Sequence, residues 1–309
     1  MIRVLFAAGD SRWDDWKSPL RTAFAEAGLD CDLAQHHEPS QVDIIVYAPN
    51  VPLQDFRPYT NARAVLNIWA GVEGIVGNET LTQPLARMVD PGLTEGMVEY
   101  VCGHVLRHHL GIDTQITGQD GVWKPQVPPL ARDRAVTILG LGELGGACAT
   151  ALVQLGFPVT GWSRSQKDIA GIRCLSGDDG LTKALKTAQI LVCLLPLTPD
   201  TTDILGSAAF GHLPAGAVLI NPGRGGLIVE RDLMAALETG HIAHATLDTF
   251  RTEPLPQDHP FWSHPGVTVT PHIASETRPA TAAPVIAENV RRAMADEPIL
   301  HLVDREKGY

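Results

Sequence analysis

The sequence contains few cysteines, no long hydrophobic run and no excess of basic residues. Its five cysteines are scattered and form no CxxC pair, which argues against a disulfide framework or a zinc site and fits a reducing cytoplasm. Apolar stretches such as ILVCLLPL are far shorter than the roughly 18 residues of a membrane span, and MIRVLFAAGD is too short for a signal peptide. Acidic residues outnumber basic ones by 35 to 24, a formal net charge of −11, so the surface repels nucleic acids and anionic lipids. We therefore expect a cytoplasmic protein that binds neither nucleic acid nor a membrane.

Short apolar runs alternate with helical segments along the whole chain. These runs, from IRVLFAA to VTVTPH, predict the strands of parallel sheets in an α/β protein. The 309 residues suffice for two domains. A break at Asp90-Pro91-Gly92 precedes a predicted helix that we expect Thr94 to cap and Gly111 to end. We predict one domain of residues 96–274, inserted in another that comprises residues 1–95 and 275–309.

A GxGxxG motif formed by Gly140, Gly142 and Gly145 follows one strand-like run and opens a helix-like segment. Glycines at these positions permit a tight turn, close approach to a pyrophosphate and close helix packing. The start of the helix, at Glu143 and Leu144, then offers unpaired N–H groups to the anion. The motif predicts a dinucleotide site, and an ordinary glycine-rich turn is the alternative.

Ser163, Arg164 and Ser165 occupy the region where NAD-binding versions of this unit carry an acidic residue. Hydroxyl groups and a guanidinium suit a ribose 2′-phosphate, which a carboxylate would repel. The alternative is that Arg164 is a solvated surface residue. We predict that NADP(H) is the preferred cofactor and that NAD(H) is possible.

Three further stretches, NPGRGG, LDTFRTEPLP and TPHIAS, place Arg224, Asp248, Glu253 and His272 after strand-like runs. Because the carboxyl ends of parallel strands meet at one edge of a sheet, these side chains can converge there. Each alone has a structural explanation, such as a loop arginine, a turn glutamate or a hydrogen-bonded core histidine. Their joint occurrence after GxGxxG favours a catalytic site.

His241 and His244 form an HxxH pair, a spacing found among metal ligands. No third ligand is evident nearby, and the pair flanks a predicted helix-to-strand junction. We therefore predict no metal site.

The stretches AVTILGLGELGG, LLPLTPDTTDIL, INPGRGG, ATLDTFRTEPLP and VTPHIAS together resemble D-isomer-specific 2-hydroxyacid dehydrogenases. NIWAGVEGI resembles the glycine loop of their substrate domain, and EGMVEYVCGHVL their interdomain helix. GFPVTGWSRS and VDREKGY resemble the glyoxylate/hydroxypyruvate reductase A branch. The resemblance implies two doubly wound parallel-sheet domains, a Rossmann cofactor domain inserted in a flavodoxin-like substrate domain, and a homodimer.

The resemblance also implies an activity, the NADPH-dependent reduction of small 2-oxoacids, glyoxylate to glycolate and hydroxypyruvate to D-glycerate. Arg224 would bind the substrate carboxylate and polarise the keto oxygen. His272 would protonate that oxygen as general acid, and Glu253 would hold the other ring nitrogen and favour the charged imidazole. Asp248 would orient the nicotinamide.

The same resemblance implies further contacts to substrate and cofactor. Backbone N–H groups of Ala70 and Gly71 would receive the substrate carboxylate, and Trp69 is a candidate pocket wall. Closure of the two domains would exclude water from the hydride step. The other implied cofactor contacts are Leu195, Pro196, Thr201, Pro222, Gly223, His272 and Ala274.

The sequence leaves two alternatives open. An NAD-dependent 2-hydroxyacid dehydrogenase of the phosphoglycerate type requires a preference for NAD, which Ser163, Arg164 and Ser165 disfavour. A non-catalytic nicotinamide-sensing protein requires cofactor binding without turnover, and the intact Arg224, Glu253 and His272 argue against it.

Overall fold

A computed structural model describes residues 1–309. The chain divides into two compact units. The first comprises Met1–Leu93 and Glu276–Tyr309, and the second comprises Thr94–Ser275. Each unit is built on one parallel sheet with its own strand order, so the expected fold class is confirmed.

The first unit contains a five-stranded sheet in the order β2-β1-β3-β4-β5. The strands are β1 (Ile2–Ala7), β2 (Cys31–Ala34), β3 (Ile44–Tyr47), β4 (Ala64–Asn67) and β5 (Leu85–Ala86), and all pairs are parallel. Helices α1 (Asp10–Glu26) and α8 (Pro279–Met294) contribute Leu20, Phe24 and Ile286 to one apolar core with Val4 and Val46. The strand order reverses between β1 and β3, which creates a crevice at the carboxyl ends of these strands.

The second unit contains a seven-stranded parallel sheet in the order β12-β11-β10-β9-β6-β7-β8. Its strands are β6 (Val136–Leu139), β7 (Val159–Ser163), β8 (Ile172–Ser176), β9 (Ile190–Cys193), β10 (Ala217–Asn221), β11 (Ile242–Leu247) and β12 (Val267–Val269). The helices are α2 (Pro91–Leu110), whose first turn belongs to the first unit, α3 (Ile112–Thr117), α4 (Glu143–Gln154), α5 (Gly177–Leu185), α6 (Ser207–His212) and α7 (Glu230–Glu238). The order reverses between β6 and β9, so the ligand crevice of this sheet lies beside the glycine motif.

Helix α2 begins earlier than the sequence patterns predict. Its first residue is Pro91, whose fixed φ suits the first helical position. Asp90 precedes it and accepts hydrogen bonds from the N–H groups of Gly92 and Leu93 at 3.0 and 3.3 Å. The prediction that Thr94 caps the helix is therefore wrong, because Asp90 already binds the free amides. Even this 20-residue helix lacks the sustained apolar character that a membrane crossing requires.

Candidate active site

Predicted site residues of the second unit lie at or just after the carboxyl ends of six strands of its sheet. Gly140 follows β6, Ser163 ends β7, Leu195 follows β9, Arg224 follows β10, and Asp248 follows β11. His272 follows β12. Because every strand pair in this sheet is parallel, these residues lie along a single edge.

His272 and Glu253 form a hydrogen-bonded pair at this edge. Nδ1 of His272 lies 2.8 Å from Oε2 of Glu253, and the two side chains are 50 % and 36 % exposed. The other carboxylate oxygen of Glu253 accepts the N–H of Phe250 at 2.9 Å, so both oxygens are fixed in place. Because Nδ1 faces the glutamate, Nε2 is the ring nitrogen left to meet a ligand.

Asp248 holds the turn that carries His272. Its Oδ1 accepts the N–H of Ile273 at 2.9 Å, and its Oδ2 accepts the N–H of Ala274 at 3.0 Å. The carbonyl of Asp248 accepts the N–H of His272 at 2.8 Å. His272 has a φ of 55°, a left-handed conformation that costs about 1–3 kcal/mol for a residue other than glycine. These three hydrogen bonds keep the backbone of His272 in that conformation and so fix the position of the imidazole.

Thr270 and Tyr100 extend this network away from the turn, and the sequence patterns did not single them out. The hydroxyl of Thr270 donates to Oδ1 of Asp248 at 2.7 Å, and its oxygen lies 2.7 Å from the hydroxyl of Tyr100 on α2. Burial raises the pKa of Tyr100, so it remains a neutral hydroxyl. Three of the roughly four acceptor positions of Asp248 are thus used within the chain, leaving one on Oδ2 for a ligand.

Arg224 lies in a half-buried loop that is braced by its neighbours. Asn221 Nδ2 donates to the carbonyl of Arg224 at 3.0 Å, and Nη1 of Arg224 donates to the carbonyl of Gly223 at 2.8 Å. A Cβ on Gly225 would lie 2.0 Å from the carbonyl carbon of Phe250. Only glycine therefore lets the Arg224 loop touch the loop that carries Glu253. Asn221 was missed by sequence reasoning, although a buried amide at the end of an apolar strand is a signal for such a brace.

The glycine motif has the geometry that a dinucleotide requires. Gly140 has a φ of +101°, and a Cβ there would lie 2.6 Å from the carbonyl oxygen of Leu194. A Cβ on Gly145 would lie 1.8 Å from the carbonyl oxygen of Gly140, so packing demands both glycines. Gly142 differs, because a Cβ there would meet no atom within 4 Å. Its backbone faces open space at the start of α4 and is accessible to a phosphate.

A cleft of about 620 Å³ runs along α4 and includes Gly142, Glu143, Thr150 and Lys167 in its lining. Leu144 is half-buried in the core beneath α4. The exposed side chain of Glu143 leaves the first turn of the helix to present its N–H groups. Lys167 adds a positive charge that sequence reasoning had overlooked, and its position in SRSQK, two residues beyond the serine and arginine group, was the available signal.

The loop of Ser163, Arg164 and Ser165 follows β7. Oγ of Ser163 donates to the carbonyl of Ser165 at 2.8 Å, which shapes the turn. Nη1 of Arg164 lies 3.7 Å from Oδ2 of Asp200, and both side chains are largely exposed. Such an exposed ion pair is weak, so the guanidinium can exchange the carboxylate for a phosphate.

Of the other predicted cofactor contacts, one holds a loop together through its hydroxyl, and four are buried. Thr201 Oγ1 donates to the carbonyl of Pro196 at 2.6 Å and accepts the N–H of Thr198 at 2.8 Å, so its hydroxyl closes the loop after β9. The predicted contacts that are buried at the sheet edge are Leu195, Pro222, Gly223 and Ala274.

In the first unit, the loop of Trp69, Ala70 and Gly71 follows β4. Nδ2 of the buried Asn67 donates to the carbonyls of Trp69 and Gly71 at 3.0 and 2.9 Å. These two hydrogen bonds hold the loop against the end of β4. All three loop residues are half-buried, and the loop lies at the carboxyl edge of the five-stranded sheet.

A histidine cluster lies between α2 and strands β11 and β12 of the second unit. His108 Nε2 is 2.9 Å from the Thr246 hydroxyl, His244 Nε2 is 2.8 Å from the Thr268 hydroxyl, and the two rings are 5.0 Å apart. Burial lowers the pKa of His108 to about 3 and also lowers the pKa values of His104 and His244. These histidines are therefore neutral at physiological pH.

The family model for the NAD-binding domain of D-isomer specific 2-hydroxyacid dehydrogenases matches residues 102–274. A glyoxylate/hydroxypyruvate reductase A of Serratia proteamaculans is 43% identical over 255 residues, which span 80% of this chain and 82% of that protein. Another, of Escherichia fergusonii, is 35% identical over 308 residues, which span 97% of each chain.

The chain also resembles solved structures over its whole length. A D-isomer specific 2-hydroxyacid dehydrogenase from Xanthobacter autotrophicus Py2, in complex with NADPH and MES, has a TM-score of 0.93 at 39% identity and covers 100% of this chain and 99% of its own. An NADPH-dependent glyoxylate/hydroxypyruvate reductase from Sinorhizobium meliloti, in complex with NADP and sulfate, has a TM-score of 0.88 at 31% identity and covers 100% of both chains.

Proposed function

Because this chain belongs to the D-isomer specific 2-hydroxyacid dehydrogenase family, we propose that it reduces glyoxylate to glycolate and hydroxypyruvate to D-glycerate with NADPH. The observation that carries the proposal is the pair of His272 and Glu253 at 2.8 Å. It lies at the same sheet edge as Arg224 and the glycine motif. This edge combines a proton donor, a cation and a dinucleotide cradle, which are the groups that reduction of a keto acid needs.

The protein's own residues divide the work of the reaction. Arg224 binds the substrate carboxylate and polarises the keto oxygen, while the N–H groups of Ala70 and Gly71 bind the carboxylate as well. Nε2 of His272 donates its proton to the keto oxygen as that oxygen gains negative charge. Glu253 accepts from Nδ1 and stabilises the imidazolium before transfer. Bound NADPH supplies the hydride that adds to C2.

NADPH is the cofactor that the site suits. Gly142 leaves the start of α4 open to the pyrophosphate, and Arg164 provides a guanidinium for the 2′-phosphate. Asp248 retains one acceptor position for the carboxamide of the nicotinamide. NADP or NADPH is also the cofactor bound in both similar structures.

We also propose that the protein forms a homodimer. The segment of residues 110–130 exposes several apolar side chains, among them Ile116 at 63 %, Trp123 at 94 % and Val127 at 90 %. An apolar patch of this kind is typical of a protein interface, and a second copy covers it in the proposed dimer. Light scattering should give twice the chain mass, and Trp123→Ser combined with Val127→Ser should shift it towards the monomer. Trp262→Ser, which changes an exposed tryptophan elsewhere, should leave the mass unchanged.

The test of the activity measures the loss of NADPH absorbance with glyoxylate, hydroxypyruvate and pyruvate, and repeats each assay with NADH. We expect turnover with the first two acids, a preference for NADPH, and loss of turnover in His272→Ala. NADPH binding by the same protein is measured separately through its fluorescence. Binding without turnover of any acid would contradict the proposal and favour a nicotinamide-sensing protein.

A further inference from the structure

A half-buried arginine lies at the ligand crevice of the first unit. Arg12 is in the first turn of α1, directly after the end of β1. Its Nη1 donates to the carbonyl of Ala8 at 3.0 Å and lies 3.5 Å from Oδ1 of Asn50, which follows β3. These contacts place the guanidinium where the strand order reverses between β1 and β3, the position at which open α/β sheets bind ligands.

The ring of Trp69 supports the same guanidinium. Cζ of Arg12 lies 5.4 Å from the centroid of the Trp69 ring, which is within the range of a cation–π contact. Trp69 begins the loop whose Ala70 and Gly71 amides receive the substrate carboxylate in the proposed function. Arg12 therefore touches the first residue of that loop, and three strand ends, those of β1, β3 and β4, meet around it.

The guanidinium of Arg12 still has donors to offer. An arginine carries five N–H donors, and the two contacts of Arg12 use Nη1 alone. Nε and Nη2 have no acceptor within the chain, and no carboxylate lies within ion-pair distance. By contrast, Arg63 of the same unit pairs with Asp296 at 3.0 Å. In a chain with 35 acidic and 24 basic residues, a half-buried arginine without a carboxylate is available for an external acceptor.

The position of Arg12 also opposes the local preference of the helix. A cation in the first turn of a helix lies beside the positive end of the helix dipole, which is unfavourable. Natural proteins break such local rules most often at functional sites. The cost is consistent with a role in binding rather than in folding.

We propose that Arg12 determines substrate specificity by binding a hydroxyl or carboxylate group on C3 of the 2-oxoacid. This inference rests on the proposed function, in which the loop amides and Arg224 already bind the C1 carboxylate and the keto oxygen. C3 is then the remaining place for a polar group. Hydroxypyruvate carries a hydroxyl there, pyruvate carries only hydrogen, and glyoxylate has no C3. Nε and Nη2 form a planar fork suited to such a group.

The test compares kcat/KM for hydroxypyruvate, pyruvate and glyoxylate in the native protein, Arg12→Met and Arg12→Lys. Methionine keeps an apolar stem on Trp69 but removes the charge. We expect Arg12→Met to lower kcat/KM for hydroxypyruvate about 10- to 100-fold through KM, because a hydrogen bond to a charged group is lost. Glyoxylate and pyruvate should change less than about 3-fold, and Arg12→Lys should restore part of the loss for hydroxypyruvate. Arg63→Met, at the opposite edge of the sheet, is the matched control.

Inhibition gives a readout that does not depend on turnover of the C3-substituted acid. With glyoxylate as substrate, Arg12→Met should raise the inhibition constant of tartronate, which has a second carboxylate. The inhibition constant of D-lactate should be unchanged. An equal loss for all three substrates, or no loss for hydroxypyruvate and tartronate, would overturn the role of Arg12 while leaving the proposed function intact. A native protein that reduces none of the acids would instead refute the proposed function itself.

Discussion

Nδ1 of His272 lies 2.8 Å from Oε2 of Glu253, and the second oxygen of that glutamate is held by the N–H of Phe250. The carboxylate thus fixes which ring nitrogen can serve as the acid. We predict that Glu253→Gln lowers kcat about 10- to 100-fold with little change in KM. The neutral amide lacks the negative charge with which the carboxylate stabilises the imidazolium. Steady-state assays with glyoxylate and NADPH measure both constants.

A second histidine–glutamate pair in the same unit provides the control for this prediction. His259 Nε2 lies 3.6 Å from Oε2 of Glu230, and Glu230 begins α7, outside the proposed site. Glu230→Gln should leave kcat within about 3-fold of the native value. Equal effects of the two substitutions would show that Glu253 has no special role in catalysis.

Two glycines of the GxGxxG motif have different roles, Gly142 in cofactor binding and Gly145 in packing. A Cβ on Gly142 meets nothing within 4 Å, whereas a Cβ on Gly145 would lie 1.8 Å from a backbone oxygen. We predict that Gly142→Ala has the same melting temperature as the native protein. It should bind NADPH at least about 10-fold more weakly, because the methyl group lies where the pyrophosphate approaches. Gly145→Ala should lower the melting temperature, because the backbone must shift.

Calorimetry and NADPH fluorescence titration distinguish these two effects. Gly211→Ala is the matched control, since this helical glycine also has open space around it. Alanine there should leave NADPH binding unchanged. Tight NADPH binding by Gly142→Ala would show that the phosphates bind elsewhere.

Arg164 is expected to set the preference for NADPH. Arg164→Ser removes the guanidinium that the 2′-phosphate would contact, so kcat/KM for NADPH should fall about 10- to 100-fold while that for NADH changes little. Arg173→Ser removes an exposed arginine on β8 and should change neither value. If Arg164→Ser weakens both cofactors equally, the residue does not read the phosphate.

The neutral histidines beside α2 predict a loss of stability in acid. Burial holds the pKa of His108 at about 3, well below the 6.5 that is ordinary for an exposed histidine. The unfolded chain therefore binds one more proton than the folded chain between pH 6.5 and about 3, and stability falls as the pH decreases through this range. For each such histidine the slope approaches about 1.4 kcal/mol per pH unit.

Urea unfolding at several pH values between 7 and 4 measures this slope. His108→Gln keeps a polar side chain but cannot titrate, so its free energy of unfolding should depend less steeply on pH. His36→Gln, which changes an exposed histidine, should keep the native slope. A native slope in His108→Gln would contradict the proposed titration of His108.

The central strands of both sheets could be predicted from the sequence, whereas several edge strands could not. The apolar runs at β3, β4, β6 and β9 form strands that are buried throughout, and such runs are the clearest strand signal. By contrast, β2, β5 and β8 were missed, and all three lie at sheet edges. Strands β2 and β8 leave most of their side chains partly or fully exposed, as at Arg173 of β8, and β5 has only two residues, so their patterns are weak.

The candidate site shows a similar division between reactive and supporting residues. Arg224, Glu253 and His272 were found because their chemistry is distinctive and each follows a strand-like run. Asn221 and Thr270, which brace Arg224 and Asp248, were not found. Their roles depend on backbone groups that only the folded loops bring within hydrogen-bonding distance.

The most direct test of the proposed activity follows deuterium from C4 of the nicotinamide to the product. The protein is incubated with hydroxypyruvate and NADPH that carries deuterium at both C4 positions, and the glycerate is analysed by mass spectrometry and chiral chromatography. We predict D-glycerate with one deuterium at C2, and none of this product with His272→Ala. Unlabelled glycerate or bound NADPH without product would contradict hydride transfer, labelled L-glycerate would contradict the proposed product, and labelled product from His272→Ala would contradict its role as the acid.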